Sequence, residues 1–311
     1  MDLSNILNIS LIYATLRSAT PLIYAAMCAS ITQQANILNV GTEGIMLTAA
    51  FFAVAVSYFT GAWYLGVLAA MIAGAFMALI MAVGHIKYKA DITAIGIGVN
   101  VFALALTKFL MNVFFHKSGT FTHPDIDVIP RIKFNFPASW GEVPQLIENW
   151  PLTEWFVIVV LIALHVLFYK SIWGLRLRAI GQHPTAAESV GINVKSMKYQ
   201  AMIISGMIGG LAGAHLSLGY GALFTENMTS NRGFMGVAAM YFGGADPLKT
   251  TVGCLVFGFA DSIGARLQNL GMSPQLVLSM PYVVTVAVLA VTMASKLQAE
   301  NKRKSALTKF R

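Results

Sequence analysis

The chain has 311 residues, of which 57% are hydrophobic and 11% are charged, and its mean hydropathy is +0.68. This composition is typical of proteins that cross a membrane many times, with membrane lipid around them, and it excludes an ordinary soluble domain. The net charge of +8 does not indicate a nucleic-acid partner, because the Lys and Arg residues cluster in short loops between apolar segments, where positive charge sets membrane topology.

Nine segments are predicted to cross the membrane, because each approaches the roughly 20 apolar residues that a bilayer core requires. The predicted spans are residues 11–32, 37–59, 62–86, 92–115, 153–170, 198–219, 233–246, 250–268 and 277–296. The seventh is short and contains glycine, which predicts a half-helix or an irregular segment. We therefore expect an all-α fold, a polytopic transmembrane helix bundle that forms a single domain over residues 1–311.

The basic residues predict which ends of the spans face the cytoplasm. Fourteen of the 21 Lys and Arg residues lie on one side when Lys87, Lys89, residues 170–198, Lys249 and the basic tail are placed inside. The tail, residues 297–311 with Lys296 just before it, is then cytoplasmic. Because basic loops stay on the cytoplasmic side, nine spans predict an N-terminus outside and a C-terminus inside.

A short motif repeats within the chain at an offset of 192 residues. Asn39-Val-Gly41-x-x-Gly44 opens the second span, and Asn231-Arg-Gly233-x-x-Gly236 opens the seventh. A shift of the whole sequence by this offset aligns spans one to four with spans six to nine, and the fifth span lies between the two sets. The odd intervening span inverts the second half, which predicts a 4+1+4 inverted repeat with its substrate site near the middle of the membrane.

Polar residues within the predicted spans are candidates for the substrate pathway, because lipid-facing helices rarely carry them. Asn39 and Glu43 belong to the first copy of the motif, and Glu43 offers acceptors to a polar substrate or fixes the start of the helix. The alternative is a first-turn carboxylate stabilised by the helix dipole. Asn100 offers two donors and one acceptor at mid-span; its alternative role is to join two helices by hydrogen bonds.

The long loop of residues 116–152 is predicted to lie on the outer face. It carries five prolines and scattered charge, so it is too polar to span the membrane and too short to form a separate domain. We expect it to form an ordered cap on the outer face, at the place where a delivered ligand would arrive.

The loop of residues 171–197 contains an amphipathic segment, which predicts a helix at the cytoplasmic face. Its core, Thr185-Ala186-Ala187-x-x-x-Gly191, resembles the coupling loop of ATP-binding-cassette (ABC) importer permeases, whose pattern is Glu-Ala-Ala, three residues, then Gly. Thr185 replaces the Glu. The resemblance implies that a separate ATPase docks on Thr185, Ala186, Ala187, Glu188 and Gly191. The alternative is a helix that lies on anionic lipid.

The chain has no motif that indicates an enzyme. It contains no nucleotide-binding loop of the form GxxxxGK[ST] and no His-Glu-x-x-His or paired-cysteine metal site. We therefore predict no catalytic residue, no metal and no cofactor bound by this chain.

Several stretches together resemble the nucleoside-type members of the branched-chain amino acid/simple-sugar permease family. They are residues 39–44, residues 91–100, the coupling segment, residues 216–234 and Pro281-Tyr282. The resemblance implies a bacterial inner-membrane permease subunit that works with three partners: an ATPase with two nucleotide-binding modules, which uses the ATP; a second permease, either a different chain or a second copy; and a periplasmic or lipoprotein substrate-binding protein.

The outer loop of residues 224–234, after the sixth span, is predicted to lie near the substrate's entry. Glu226 and Asn227 supply acceptors there, and Tyr220 and Phe224 supply aromatic faces on which a nucleobase would stack. Asn231 stands where the family usually has a small residue, which leaves the substrate open. Simple sugars, riboflavin-like compounds and branched-chain amino acids are alternatives, and a self-sufficient secondary transporter is the alternative from a different class.

Overall fold

A computed structural model describes residues 9–133 and 150–269, together with Val283. Within these residues the fold is mostly helical. The helices are α1 (Ile9–Gln34), α2 (Thr42–Thr60), α3 (Trp63–Ala82), α4 (Ile92–Phe115), α5 (Leu152–Lys170), α6 (Ile172–Gln182), α7 (Pro184–Ser189), α8 (Val194–Ala214), α9 (Arg232–Gly243) and α10 (Pro247–Asn269). Wider π-helical turns continue α3 over Val83–Lys87 and α8 over His215–Gly219.

Five of the described helices are long and apolar enough to cross a membrane. They are Thr42–Thr60, Trp63–Lys87, Ile92–Phe115, Leu152–Lys170 and Val194–Gly219, where the second and fifth include the π-helical turns. The 26-residue α1 and the 23-residue α10 coincide with the first and eighth predicted spans. In contrast, α9 has only 12 residues, fewer than the roughly 20 that a complete crossing needs.

Helices α2 and α8 form the centre of the bundle. The apolar windows of α2 and α8 are 78% and 83% buried within the chain, whereas those of α3, α4 and α5 are at most 39% buried. The outer helices therefore present apolar faces to their surroundings, as expected of helices in contact with lipid. The polar residues of α2 and α8 are therefore better shielded from the membrane than those of α3, α4 and α5.

Small residues allow α3 and α8 to pack closely. A Cβ atom at Gly74 of α3 would lie 2.2 Å from the carbonyl oxygen of Gly206, and one at Gly210 of α8 would lie 2.4 Å from the carbonyl oxygen of Ala70. Neither position has room for a side chain. Close backbone approach of this kind is how membrane helices gain contact energy where lipid supplies no hydrophobic driving force.

Two small sheets correct the all-α prediction. Strand β1 (Thr120–Thr122) pairs antiparallel with β4 (Leu223–Thr225), and β2 (Arg131–Ile132) pairs with β3 (Trp150–Pro151). The loop backbones need hydrogen-bond partners where they fold over buried aromatic side chains, and these short ladders supply them. We call this side of the molecule the sheet end, and the opposite side, formed by α6 and α7, the loop end.

Some predictions fall outside the described residues. These are the ninth span, residues 277–296, the basic tail, residues 297–311, and residues 134–149 of the outer loop.

Candidate functional site

Helices α2 and α9 both begin inside the bundle and run to opposite ends of it. The far end of α2 lies at the sheet end, where the hydroxyl of Ser57 donates to the carbonyl of Asp127 over 2.7 Å. The far end of α9 leads to the loop end, where the side chain of Gln34 donates to the carbonyl of Ala245 over 3.0 Å. The N-termini of the two helices meet at Glu43.

The carboxylate of Glu43 joins the two helix N-termini. Its Oε1 accepts the backbone N–H of Asn231 at 2.8 Å, and its Oε2 accepts the backbone N–H of Gly233 at 2.6 Å. Glu43 itself lies in the first turn of α2. Because the first N–H groups of a helix have no partner within it, one buried carboxylate here satisfies donors of α9 while standing at the positive end of α2.

Asn100, the ninth residue of α4, fixes the start of α2 from another side. Its Oδ1 accepts the backbone N–H of Gly44 at 2.8 Å, and its Nδ2 donates to the carbonyl of Val40 at 3.0 Å. Both polar atoms of the amide are therefore used in contacts between helices. This geometry matches the helix-joining role that the sequence left open for this residue.

Asn39 holds the turn before α2 against α8. Its Nδ2 donates to the hydroxyl of Ser205 at 3.2 Å, and that hydroxyl donates to the carbonyl of Cys28 in α1 at 2.8 Å. The Asn39 side chain is fully buried, and its Oδ1 has no hydrogen-bond partner. The structure thus brings together Asn39, Glu43 and Asn100, and only Asn39 keeps a polar atom unused.

The aromatic candidates at the sheet end are already engaged. The hydroxyl of Tyr220 donates to the carbonyl of Arg17, whose guanidinium lies 4.8 Å from the centre of the Tyr220 ring. Phe224 is 1% exposed and packs edge-on against Phe51, with 5.4 Å between ring centres. In this conformation Phe224 offers no free face to a nucleobase.

Glu226 and Asn227 lie on the turn that leads from β4 towards α9. Oε1 of Glu226 accepts the backbone N–H of Gly119 at 2.8 Å, and Oε2 lies 3.7 Å from Nζ of Lys108. Asn227 is exposed, with a positive φ of 57°, and its carbonyl accepts from Ser230. These two residues are therefore separate from the Asn39, Glu43 and Asn100 group but are connected to it through residues 228–231.

The coupling residues lie at the loop end on α7 and the turn that follows it. Thr185, Ala186, Glu188 and Gly191 are exposed. Ala187 is only 4% exposed and packs against the chain's own core. A partner at this surface would thus touch the residues on either side of Ala187, while Ala187 fixes α7 to the bundle.

A buried polar group between α1, α5 and α8 was not predicted from the sequence. Nδ1 of His215 lies 2.8 Å from the hydroxyl of Thr153, and the hydroxyl of Tyr24 donates to the carbonyl of Thr153 at 2.7 Å. Next to it, Glu154 is 2% exposed. A histidine and a glutamate in predicted spans were the available signals, but no sequence spacing connects residues so far apart.

The described residues contain no group of three or more His, Cys, Asp or Glu side chains that could hold a metal ion. The two cysteines, Cys28 and Cys254, are buried free thiols. Glu43 and Asn100 bond to backbone groups of neighbouring segments, whereas Asn39 bonds to the hydroxyl of Ser205 and keeps its Oδ1 unused. The chemistry that this site offers is therefore neutral and charge-assisted hydrogen bonding.

The fold and the site define a multi-pass membrane protein that carries buried hydrogen-bonding groups within an apolar bundle. Residues 11–293 match the family described as branched-chain amino acid transport system, permease component. The chain belongs to this family of membrane permeases.

Individual relatives are similar over nearly their whole length. The chain is 35% identical to the guanosine ABC transporter permease protein NupQ of Bacillus subtilis, with 93% of each chain covered. It is 30% identical to the nucleoside ABC transporter permease protein NupC of Lactococcus lactis and 29% identical to the putative glucose ABC transporter permease protein TsgC13 of Haloferax volcanii, with 90% of each chain covered. Bacillus subtilis has a second guanosine permease protein, NupP, that is 26% identical to this chain, and Lactococcus lactis has a second nucleoside permease protein, NupB, that is 25% identical to it.

Replacement of Asn100 by Leu is expected to destabilise the protein. The change leaves the buried N–H of Gly44 without a partner, at a cost of about 1–3 kcal/mol, and it also removes the partner of the half-buried carbonyl of Val40. Thermal unfolding of the purified protein in detergent measures the loss. Thr107→Val is the matched control, because the hydroxyl of Thr107 bonds only within α4. Unchanged stability together with a weakened half-saturation for uptake would instead make Asn100 a substrate contact.

Proposed function

We propose that this chain is the membrane-spanning permease subunit of an ABC importer that moves nucleosides into the cell. The observation that carries the proposal is its similarity, over 90% or more of each chain, to permeases described for guanosine and for nucleosides. Nucleosides are polar and neutral, and in the site the Oδ1 of Asn39 has no partner and can accept a hydrogen bond. An importer that must release its cargo is served by such contacts, since each neutral hydrogen bond contributes only about 0.5–1.5 kcal/mol.

The partners follow from the same assignment. A separate ATPase with two nucleotide-binding modules binds and hydrolyses the ATP, and it docks on the exposed residues of α7. A periplasmic or lipoprotein receptor delivers the nucleoside to the sheet end. A second permease completes the pathway, and the presence of two such permeases in both Bacillus subtilis and Lactococcus lactis supports a pair of different chains.

The proposed orientation puts the loop end in the cytoplasm and the sheet end outside. It is supported by the 14 of 21 Lys and Arg residues that then lie inside. The membrane is the bacterial inner or plasma membrane, with the N-terminus outside and the C-terminus inside. In this orientation Glu226 and Asn227 lie at the outer opening, and Asn39, Glu43 and Asn100 lie deeper along the route.

We further infer a 4+1+4 inverted repeat of nine spans. The two copies of the Asn-x-Gly-x-x-Gly motif lie at the starts of α2 and α9, which begin inside the bundle and run in opposite directions. The packing of the described helices supports the same relation. The offset pairs α1 with α8, α2 with α9 and α3 with α10; α8 packs on α2 and α3, and its counterpart α1 packs on α9 and α10. Glu43 then lies where the two halves cross.

Sugar import is the second candidate. The glucose permease relative of Haloferax volcanii is nearly as similar as the second nucleoside relative, at 29% against 30% identity. The hydroxyls of a sugar and of a ribose ring use the same kinds of acceptors. The two candidates differ in the base, which only a nucleoside carries.

Deletion of this gene in its host is expected to abolish uptake of radiolabelled guanosine, and a plasmid copy is expected to restore it. The rate of glucose uptake in the same cells is expected to stay at the level of the parent strain. Loss of glucose uptake with normal guanosine uptake would replace the nucleoside proposal with the sugar candidate. Normal uptake of both would refute each.

Substitution of the neighbouring alanines of α7 by Arg is expected to separate docking from folding. Ala186→Arg places a large charged side chain on the exposed face, so the ATPase should no longer co-purify while the permease keeps its yield and unfolding temperature. Ala187→Arg forces the same side chain into the chain's own core and should lower both yield and unfolding temperature. Retention of the ATPase by the Ala186 variant would contradict docking on α7.

A further inference from the structure

The end of α6 lies directly on the end of α1. A Cβ atom at Gly181 of α6 would lie 2.1 Å from the carbonyl oxygen of Gln34, the last residue of α1. No side chain separates the two backbones. A displacement of this end of α6 towards α1 therefore presses directly on Gln34, without soft side chains to absorb it.

The side chain of Gln34 connects the end of α1 to the turn after α9. Its Nε2 donates to the carbonyl of Ala245 at 3.0 Å. The same turn is held on its other side by Asp246, whose carboxylate accepts the hydroxyl of Tyr169 at 2.6 Å and the backbone N–H of Lys249 at 3.1 Å. The turn is thus a fixed attachment between α1, α5, α9 and α10.

Helix α9 connects this turn to Glu43. Its 12 residues span about 18 Å at 1.5 Å per residue. Its N-terminal N–H groups are held by Glu43 in the first turn of α2. Because a helix of this length moves as a rigid rod, a shift at Ala245 reaches the start of α2.

A surface cavity of about 330 Å³, partly open to the surroundings of the chain, lies beside the contact. Its lining includes Gln33, Gln34, Arg178, Gln182 and Tyr241. This space gives the end of α6 room to move relative to α1 and α9.

We propose that Gln34 is the positioning residue that transmits movement of the α6–α7 segment to α9, and through Glu43 to α2. This inference rests on the proposed function, because it requires that an ATPase moves the segment. Gln34 receives the movement through its backbone contact with Gly181 and passes it on through its side-chain bond to Ala245. It is assigned no contact with the nucleoside.

The test compares Gln34→Met with Gln33→Met in the complete importer reconstituted in liposomes. Both glutamines are half-buried and line the same cavity, but Oε1 of Gln33 has no hydrogen-bond partner. For Gln34→Met, nucleoside taken up per ATP hydrolysed is expected to fall about two- to tenfold, while complex yield and ATP hydrolysis stay normal. Gln33→Met is expected to match the wild type.

A parallel fall in yield, hydrolysis and uptake would show that Gln34 only supports the fold, and an unchanged ratio for Gln34→Met would overturn the proposal directly. Should Gln34→Met fail to assemble, Gly181→Ala pushes α6 away from α1 and is expected to lower the same ratio. Its matched control is Gly98→Ala, where a Cβ atom meets nothing within 4 Å. Failure of the wild-type complex to couple ATP to nucleoside uptake would instead refute the proposed function.

Discussion

The carboxylate of Glu43 between two helix N-termini is the interaction on which the rest of the structure depends. Each helix N-terminus carries roughly half a positive charge and N–H groups without partners. Two such ends facing each other inside an apolar bundle would repel, and lipid offers them no hydrogen bonds. One carboxylate that stands in α2 and accepts the N–H groups of Asn231, the N-cap of α9, and of Gly233 removes both difficulties. It is this pairing that allows α2 and α9 to start inside the bundle and run in opposite directions.

The elements that surround Glu43 have complementary tasks. Asn100 and Asn39 fix the start of α2 to α4 and α8, so the acceptor is held in place by neutral bonds. Helix α9 connects Glu43 to the loop end, where the side chain of Gln34 donates to the carbonyl of Ala245 in the turn after α9. An importer driven by a separate ATPase needs such a route from its cytoplasmic surface to the middle of the membrane.

Hydropathy predicted the long helices well because every span in contact with lipid needs about 20 predominantly apolar residues. The repeated Asn-x-Gly-x-x-Gly motif also located both helix starts. The pairing of Glu43 with Asn231 and Gly233 could not be predicted from the sequence, because every residue type except proline has a backbone N–H group and the sequence does not mark which of them a carboxylate will bind. Ala187 and Phe224, which were predicted to contact a partner and a nucleobase, both pack into their own chain in this structure, and the depth at which a single side chain is buried depends on tertiary packing that the sequence pattern does not report. The pairing of β1 with β4 could not be predicted either, because each strand has only three residues and the two are brought together by the folding of distant loops.

Amide hydrogen exchange in the Glu43→Leu variant tests the central role of this carboxylate most directly. The change removes both acceptors, and bonds to charged groups contribute about 1.5–3 kcal/mol each, so exchange at Asn231 and Gly233 should accelerate about tenfold or more. Glu188→Leu, which removes an exposed carboxylate from α7, is expected to leave these amides as protected as in the wild type. Unchanged protection of the start of α9 in Glu43→Leu would contradict the account.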